Sequence, residues 1–275
     1  MSELVLVTGG TGFVGSQVVR SLLASGASIR MVVRSGGDPA LADIPGIESV
    51  RFSGDLFAEQ EDWWEDVLRG VATVVHLAWY AEPVKYLLSE RNFDCLSGTL
   101  RMAKCAIRAG IRRFVGVGTC FEYDTSPGYL SVETPLLPRT PYASCKAASY
   151  FSLSSWFALE GIEFLWCRLF YLYGEGEDPR RFVPYLKGRL ASGQPAELTS
   201  GEQIRDYLDV AVAGRMIAQE VLGDRQGAVN ICSGVPITIR QFAESLAQEY
   251  GRPELLHFGV RPDNQYDPPC IVGVR

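Results

Sequence analysis

Two side chains four residues apart could carry out acid–base chemistry. Tyr142 and Lys146 follow Pro141, which suits the first turn of a helix that we predict to run to about Glu160. Residues at this spacing share one helix face. A nearby ammonium favours a phenolate, and bringing a tyrosine pKa from about 10 toward 7 takes about 4 kcal/mol. Such a phenol could donate a proton to a carbonyl oxygen or remove one from a hydroxyl. A core tyrosine with a surface lysine would show the same spacing.

A parallel sheet is the element expected to position these residues. Apolar runs at 4–7, 28–34, 50–52, 72–78 and 112–118 alternate with helical patterns, including a long helix expected to end near Ala109. Alternating strands and helices predict an α/β fold with a doubly wound (Rossmann) parallel sheet. Ligands bind outside the carboxyl ends of such strands. Thr119, just past the fifth strand, is therefore expected to hold the same substrate oxygen as Tyr142.

A glycine-rich turn joins the first strand to the first helix. Gly9 would let the chain turn, Gly12 would let a pyrophosphate approach the backbone, and Gly15 would let the helix pack closely on the strand. The phosphates would then lie at the positive end of a helix. An ordinary strand-to-helix turn is the alternative. The predicted dinucleotide contacts here are Gly9, Thr11, Gly12, Phe13, Val14 and Gly15.

The ends of the second and third strands bear on the choice of dinucleotide. Arg34 ends the second strand and is followed by Ser35, where an acidic residue would suit the free 2′-hydroxyl of NAD. An arginine suits a 2′-phosphate, so Arg34 favours NADP over NAD unless it is only a solvated strand end. Asp55, followed by Leu56, could hold the adenine amino group or could cap the next turn.

Composition excludes several classes of function. The chain has 275 residues, a net charge of −6 and a pI near 5.1, which argue against nucleic acid or an anionic membrane as the main partner. No apolar run approaches the roughly 20 residues of a membrane span, and no signal peptide is expected. Seven scattered cysteines indicate reduced thiols in a cytoplasmic protein. Two distant histidines give a metal site little support.

Four motifs together resemble the extended short-chain dehydrogenase/reductase family, which includes nucleotide-sugar epimerases, 4,6-dehydratases and ketoreductases. They span Thr8–Gly15, His76–Ala78, Pro141–Lys146 and Arg205–Tyr207. The resemblance runs from the first strand to about residue 240. It implies that Thr119, Tyr142 and Lys146 are the catalytic triad, that Lys146 also holds the nicotinamide ribose, and that Leu77 and Ala78 border the cofactor.

The chain departs from the family's pattern at three places. The related 4,6-dehydratases carry an Asp-Glu pair after the catalytic Ser/Thr, where this chain has Cys120 and Phe121. Eliminating water needs a second acid–base group, so a dehydratase is disfavoured. Cys95 stands where the family has an Asn in the long helix. Tyr171 stands at the Asn of the family's Arg-x-x-Asn, which puts one contact to the substrate in doubt.

The remaining third is expected to form most of a substrate lobe. We predict a dinucleotide-binding domain at 1–172 and a mainly substrate-binding lobe, partly interleaved with the sheet, at 173–275. Arg205 and Arg261 could hold a substrate diphosphate, because guanidinium suits phosphate geometry, although each could be a solvated surface residue. The predicted substrate contacts are Arg205, Arg261, Thr119 and Tyr171. The family often dimerises through the helix bearing the tyrosine, where Phe151, Leu153 and Trp156 would serve a homodimer or a core equally well.

The sequence thus predicts NADPH-dependent reduction of the keto group of a nucleotide-linked 4-keto-6-deoxyhexose. An NAD-dependent nucleotide-sugar 4-epimerase is the alternative, because an epimerase keeps its NAD and returns the hydride. A non-catalytic dinucleotide sensor is the alternative from another class, and retention of Thr119, Tyr142 and Lys146 argues against it.

Overall fold

The computed structural model describes residues 3–263 and 267–275. The strands are β1 Leu4–Thr8, β2 Ser28–Arg34, β3 Ile47–Ser53, β4 Thr73–His76, β5 Arg113–Thr119, β6 Tyr129–Leu130, β7 Glu163–Leu169, β8 Tyr171–Tyr173, β9 Ala196–Glu197, β10 Ile204–Arg205, β11 Tyr207–Asp209, β12 Gly227–Ile231, β13 Ile237–Thr238, β14 Leu256–His257 and β15 Cys270–Gly273. The α-helices are α1 Phe13–Ala24, α2 Glu61–Val67, α3 Arg91–Arg108, α4 Pro141–Leu159, α5 Phe182–Ser192, α6 Val210–Leu222 and α7 Ile239–Glu249.

Seven parallel strands form the central sheet in the order β3-β2-β1-β4-β5-β7-β12. This confirms the doubly wound Rossmann sheet predicted from the alternating pattern. The near-continuous apolar composition of β1, β4 and β5 follows from burial on both faces.

Helices cover both faces of this sheet. On one face α1 and α6 pack together over the strands through side chains such as Val18, Leu22 and Ile217. On the other face lie α2, α3 and α4, with Trp64 and Phe157 fully buried against the strands. Burying apolar surface on both sides of one sheet is what fixes the layer order of the domain.

The order of the strands reverses between β1 and β4, which is the place where doubly wound sheets bind ligands. A buried histidine joins the two strands at this point. His76 Nδ1 lies 2.7 Å from the Thr8 hydroxyl, and Nε2 lies 2.9 Å from the Thr99 hydroxyl on α3. Burial lowers the pKa of His76 to about 3, and Lys146 acts in the same direction, so the imidazole is neutral and its role is structural.

The remaining elements build a second lobe beside the carboxyl edge of the sheet. Its four-stranded sheet has the order β13-β10-β15-β6, and its core lies between α5 and α7. Two elements from this part of the chain return to the main sheet. These are α6, which packs on α1, and β12, which forms the edge strand beside β7. The lobe is therefore interleaved with the main domain in sequence, and its division at residue 172 stays a prediction.

The helix expected to follow β4 begins later than the sequence suggested, at Arg91. Residues 79–90 form turns instead. Asn92 holds them, because its Nδ2 donates to the carbonyls of Tyr86 and Ser89 at 2.7 and 2.8 Å while its Oδ1 accepts from the Trp79 indole at 2.8 Å. A side chain that satisfies backbone carbonyls competes with the regular helix in this way.

Within residues 3–263 and 267–275, no helix is long and apolar enough to cross a membrane, and no group of three metal-ligating side chains could hold an ion. All seven cysteines carry free thiols, and six of them are buried.

Candidate active site

The glycine-rich turn is packed too closely for side chains at two of its glycines. Gly9 has φ +73°, and a Cβ there would lie 2.6 Å from the amide nitrogen of Ala78. A Cβ on Gly15 would overlap the carbonyl of Gly9. Gly12 caps α1 without a side-chain hydrogen bond, and the first turn carries no acidic residue. The Gly12 amide donates to the carbonyl of Gly9 at 3.0 Å, which closes the turn, and no acidic side chain competes for an anion at the start of α1, which fits a dinucleotide phosphate.

The other predicted residues of this loop differ in exposure. Thr11 is exposed, whereas Phe13 and Val14 are half-buried. Leu77 donates its amide to the carbonyl of Thr8 at 3.1 Å, which places β4 and β1 side by side. Ala78 is buried against the turn. These positions surround the mouth of the loop, and their contacts to a cofactor stay predictions.

The two side chains predicted to contact the adenosine part of the dinucleotide differ in the contacts they make. Arg34 is exposed at the carboxyl end of β2, and among the described residues it forms no salt bridge. Asp55 accepts from the amide of Phe57 at 3.0 Å and pairs with Arg91 at 3.3 Å, so it caps the next turn while staying at the surface. Leu56 packs against the core under α2 and α3.

The three predicted catalytic residues converge at the end of β5. Thr119 is the last residue of that strand and is 6 % exposed. The hydroxyl of Thr119 favours the phenolate of Tyr142 and so acts to lower the pKa of Tyr142. Lys146 donates from Nζ to the carbonyl of Val117, two residues before Thr119, at 2.6 Å. Pro141 and a Thr140 side-chain cap start α4 at the point that brings both side chains to this edge.

Lys146 is held among aromatic rings. Its side chain is 2 % exposed, and Nζ lies 3.9 Å from the centre of the Trp79 ring. Asn92 in turn fixes the Trp79 indole. Burial lowers the pKa of Lys146 to about 7, while Glu122 and Cys95 oppose this. The charge of Lys146 near neutral pH therefore depends on these neighbouring groups.

The pKa of Tyr142 moves in the direction opposite to the one expected from Lys146. Burial raises it well above the usual range, and Tyr86 and Glu122 act in the same direction, against the Thr119 hydroxyl. The Tyr86 ring packs edge-on against the Tyr142 ring at 4.8 Å between centres. The predicted lowering by Lys146 is not found, because desolvation of the phenol dominates and Nζ of Lys146 donates to the Val117 carbonyl.

The sequence did not reveal the buried carboxylate next to Thr119. Glu122 Oε1 accepts from the Thr119 amide at 2.8 Å, and Glu122 Oε2 pairs with Arg168 Nε at 2.7 Å. Trp166 Nε1 donates to both carboxylate oxygens at 3.1 Å. A signal was available, because Thr119-x-x-Glu122 is the pattern of a capping box.

Tyr171 and Arg205 lie together on the substrate side. The Arg205 guanidinium is 5.2 Å from the centre of the Tyr171 ring and pairs with Asp267 at 2.9 Å. Arg205 is 1 % exposed, so it is not a solvated surface residue. The Tyr171 hydroxyl is buried and has no hydrogen-bond partner among the described residues. These groups could meet a polar ligand, and their substrate contacts stay predictions.

Arg261 lies elsewhere. It is exposed and donates to the Tyr185 hydroxyl on α5 at 3.1 Å. Sequence reasoning overlooked Arg181, at the start of α5, whose guanidinium is 5.9 Å from the centre of the Tyr86 ring and hence one ring away from Tyr142. Arg180 and Arg181 stand side by side before α5, and no sequence pattern shows that one of them packs near the Tyr86 ring.

Comparison with known proteins identifies the family. The model of the NAD dependent epimerase/dehydratase family matches residues 5–232, which is most of the chain. The chain belongs to this family. Family members similar to it include the dTDP-6-deoxy-L-talose 4-dehydrogenase (NAD(+)) of Aggregatibacter actinomycetemcomitans, 25 % identical over 98 % of this chain and 99 % of that protein. The dTDP-glucose 4,6-dehydratase of Streptomyces niveus is 30 % identical over 90 % of this chain and 77 % of that protein.

Among solved structures, the dTDP-glucose 4,6-dehydratase of Streptomyces venezuelae with NAD bound aligns with a TM-score of 0.83 at 26 % identity. The alignment covers 98 % of this chain and 88 % of that one. These relatives are named as nucleotide-sugar dehydrogenases and dehydratases, and one of them was solved with NAD bound. Membership of the NAD dependent epimerase/dehydratase family makes this chain an enzyme of the oxidoreductase type.

Proposed function

We propose that this enzyme reduces the keto group of a nucleotide-linked 4-keto-6-deoxyhexose with NADPH. The observation that carries the proposal is the meeting of Thr119, Tyr142 and Lys146 at the end of β5, next to an uncapped glycine turn. Two hydroxyls at one point can hold and protonate a single carbonyl oxygen.

The residues divide the work as follows. A bound nicotinamide supplies the hydride. Thr119 and Tyr142 donate hydrogen bonds to the keto oxygen, which places the carbonyl carbon for attack and stabilises the negative charge that develops. Tyr142 then gives up its proton. Lys146 orients the nicotinamide ribose and, as an ammonium, favours the phenolate left on Tyr142.

A dehydratase fits this site less well. Cys120 and Phe121 occupy the positions of the acidic pair that the related 4,6-dehydratases carry, and burial raises the pKa of Cys120 to about 12. A thiol with that pKa stays protonated at neutral pH and cannot serve as the second base. We therefore expect that the enzyme does not dehydrate dTDP-glucose.

The second candidate function is an NAD-dependent nucleotide-sugar 4-epimerase, since the family description covers epimerases and the same three residues serve both reactions. The similar dTDP-6-deoxy-L-talose 4-dehydrogenase supports a net redox reaction at position 4, and its NAD(+) favours NAD. Arg34, exposed and without an acidic partner among the described residues, supports NADP.

One assay separates these candidates. Purified enzyme is given NADPH or NADH with dTDP- and UDP-linked 4-keto-6-deoxyhexoses, and dinucleotide absorbance at 340 nm is followed. Consumption of one dinucleotide per sugar, faster with NADPH, is the expected result. In parallel reactions the enzyme is given UDP-hexoses with NAD. Interconversion of these UDP-hexoses with no net consumption of dinucleotide would replace the proposal by the epimerase.

We further propose a cytoplasmic homodimer. On α4, Leu153 belongs to the core, whereas Phe151 is 56 % exposed and Trp156 is half-buried. A Phe151→Glu variant that turns a dimer into a folded monomer in light-scattering measurements would support this surface as the interface, and an unchanged dimer would exclude it.

A further inference from the structure

We propose that Glu122 is a positioning residue for the reaction, fixing Thr119 through its backbone and keeping Lys146 in its ammonium form. This role rests on the proposed function, but the effect of Glu122 on Lys146 can be measured without a substrate.

The geometry ties Glu122 to Thr119 directly. Glu122 Oε1 accepts from the Thr119 amide at 2.8 Å, and the Thr119 hydroxyl accepts from the amide of Phe121 at 3.3 Å. The two bonds close a capping box at the end of β5. They orient the backbone from which the Thr119 hydroxyl projects, so the carboxylate sets the place of one of the two oxygen-binding groups.

Two glycines of β5 leave room for the side chains that pack around Glu122. Strand β5 has glycine at 116 and 118, and a Cβ at either place would collide with the Trp166 ring; at Gly118 it would also collide with Glu122. Trp166 lies on β7 beside them and donates its indole N–H to Glu122. The two glycines thus leave room for an indole and a carboxylate at the centre of a close-packed domain.

Arg168 completes the cluster. Its Nε donates to Glu122, its Nη1 donates to the Tyr123 hydroxyl at 3.1 Å, and its guanidinium lies 4.7 and 4.6 Å from the ring centres of Tyr123 and Tyr150. Tyr150 follows Lys146 by one turn of α4. The cluster therefore clamps the end of β5 against the helix that carries Tyr142 and Lys146.

The charge of Glu122 also reaches Lys146. Lys146 Nζ lies 5.8 Å from the centre of the Trp166 ring, whose indole N–H donates to Glu122. The ionisable groups that act on Lys146 or on which it acts are Glu122 after β5, Cys95 on α3 and His76 on β4. Burial and the neutral surroundings favour the amine, and Glu122 is the principal group that favours the ammonium. The negative charge stays in the interior because Arg168 pairs with it, which is the usual condition for a buried carboxylate.

The chain contains only four lysines, at positions 85, 104, 146 and 187. Selective ¹³C labelling of lysine Cε therefore gives four resolvable NMR signals, and a Lys146→Met variant assigns the one of interest. We expect this signal to titrate near neutral pH in the parent protein and about one pH unit lower in Glu122→Gln. An identical midpoint in the two proteins would overturn the electrostatic part of the proposal.

Glu163→Gln is the matched control. Glu163 also pairs with a buried arginine, Arg113, at 2.9 Å, and it lies at the opposite end of β7. Loss of this pair should lower stability without moving the Lys146 midpoint. If Glu163→Gln moves the midpoint as far as Glu122→Gln does, a general loss of packing explains the shift and the proposal fails.

The Glu122→Asp variant keeps the negative charge but shortens the side chain, so it separates the effect of the charge from that of the hydrogen bond to Thr119. It also provides a test if Glu122→Gln does not fold. Its carboxylate remains but is too short to reach the Thr119 amide. We expect the Lys146 midpoint to stay near that of the parent, NADPH binding by fluorescence to persist, and kcat for the keto sugar to fall about tenfold with little change in KM. An unchanged kcat would refute the positioning role. Failure of the parent protein to bind any dinucleotide would instead refute the proposed function.

Discussion

At the scale of single residues, burial governs the acid–base chemistry of this site. The phenol of Tyr142 has a raised pKa, so it is protonated at neutral pH. A proton donor must hold its proton before hydride arrives, and burial therefore suits the reductive direction. The same burial lowers the pKa of Lys146 to about 7, which makes the charge of the lysine sensitive to its surroundings.

Removing this proton donor should abolish turnover and spare binding. In Tyr142→Phe we expect kcat to fall by about 10²–10⁴-fold, the usual contribution of a positioned acid. The NADPH dissociation constant should change less than about twofold, because the phenyl ring preserves the packing on Tyr86. Tyr250→Phe, at the exposed end of α7, is the control. Full turnover in Tyr142→Phe would contradict the assignment of Tyr142 as the proton donor. Unchanged function of that variant in cells would favour a non-catalytic dinucleotide sensor.

Arg34 should decide which dinucleotide binds best. A charge-assisted contact to the 2′-phosphate is worth about 1.5–3 kcal/mol, so Arg34→Asp should shift the NADPH-to-NADH affinity ratio by about 10- to 100-fold toward NADH. Arg215→Asp, an exposed change of the same charge on α6, should leave the ratio unaltered. Titration by nucleotide fluorescence measures both. A parent enzyme that already prefers NADH would contradict the reading of Arg34.

At the scale of elements, the start of α1 combines tight packing with an open approach. A Cβ on Gly12 would lie 3.3 Å from the carbonyl of Gly9, a contact that the chain can absorb. Its φ of −78° is open to any residue. The fold therefore tolerates a side chain at Gly12 but not at Gly9 or Gly15, and we expect the missing side chain at Gly12 to leave room for the cofactor.

Gly12→Ala should therefore lose cofactor and keep its fold. We expect NADPH affinity to fall at least about tenfold because the methyl group stands where the pyrophosphate approaches. Gly188→Ala is the matched control, since no atom lies within 4 Å of its Cβ position on α5 and the change should stabilise by about 0.4–1 kcal/mol. Calorimetry gives affinity and stability together. Unchanged affinity in Gly12→Ala would place the phosphates elsewhere.

Elements with a strong local pattern were predictable. The glycine turn, β4 and the start of α4 at Pro141 follow from apolar runs and capping residues. The turns at 79–90 could not be predicted in this way. Asn92 holds them by donating to backbone carbonyls, and such contacts leave no periodic pattern in the sequence. The cluster around Glu122 was missed for a similar reason. Its partners Trp166 and Arg168 lie more than 40 residues away, and only the folded sheet brings them together.

At the scale of the whole molecule, one buried carboxylate ties the second lobe together. Asp206 accepts from the amides of Ser233, Gly234 and Gly273 at 2.7, 2.8 and 3.1 Å. These amides belong to the segment after β12 and to β15. Asp206 directly follows β10, which ends at Arg205. The placement of Arg205 therefore depends on a contact that joins three separate parts of the chain.

Asp206→Asn should destabilise the protein, because the new amide group would face backbone N–H donors and lose part of this set. We expect about 2–5 kcal/mol less stability in urea unfolding. Asp124→Asn is the control. The Asp124 carboxylate accepts from the Ser126 amide at the surface, and we expect its replacement to change the stability little. Equal stability of the Asp206 variant and the parent would show that the lobe is anchored by other contacts.

Deuterium labelling shows where the transferred hydride goes and whether the transfer needs Tyr142. Enzyme is mixed with NADPH carrying two deuterium atoms at C4 of the nicotinamide and with a nucleotide-linked 4-keto-6-deoxyhexose, and the product is analysed by NMR. We expect one deuterium at C4 of the sugar and one NADP⁺ formed per sugar, and neither in Tyr142→Phe. A keto sugar that stays unreduced, a reduced sugar without deuterium, or transfer that survives loss of the Tyr142 hydroxyl would contradict the proposed reduction.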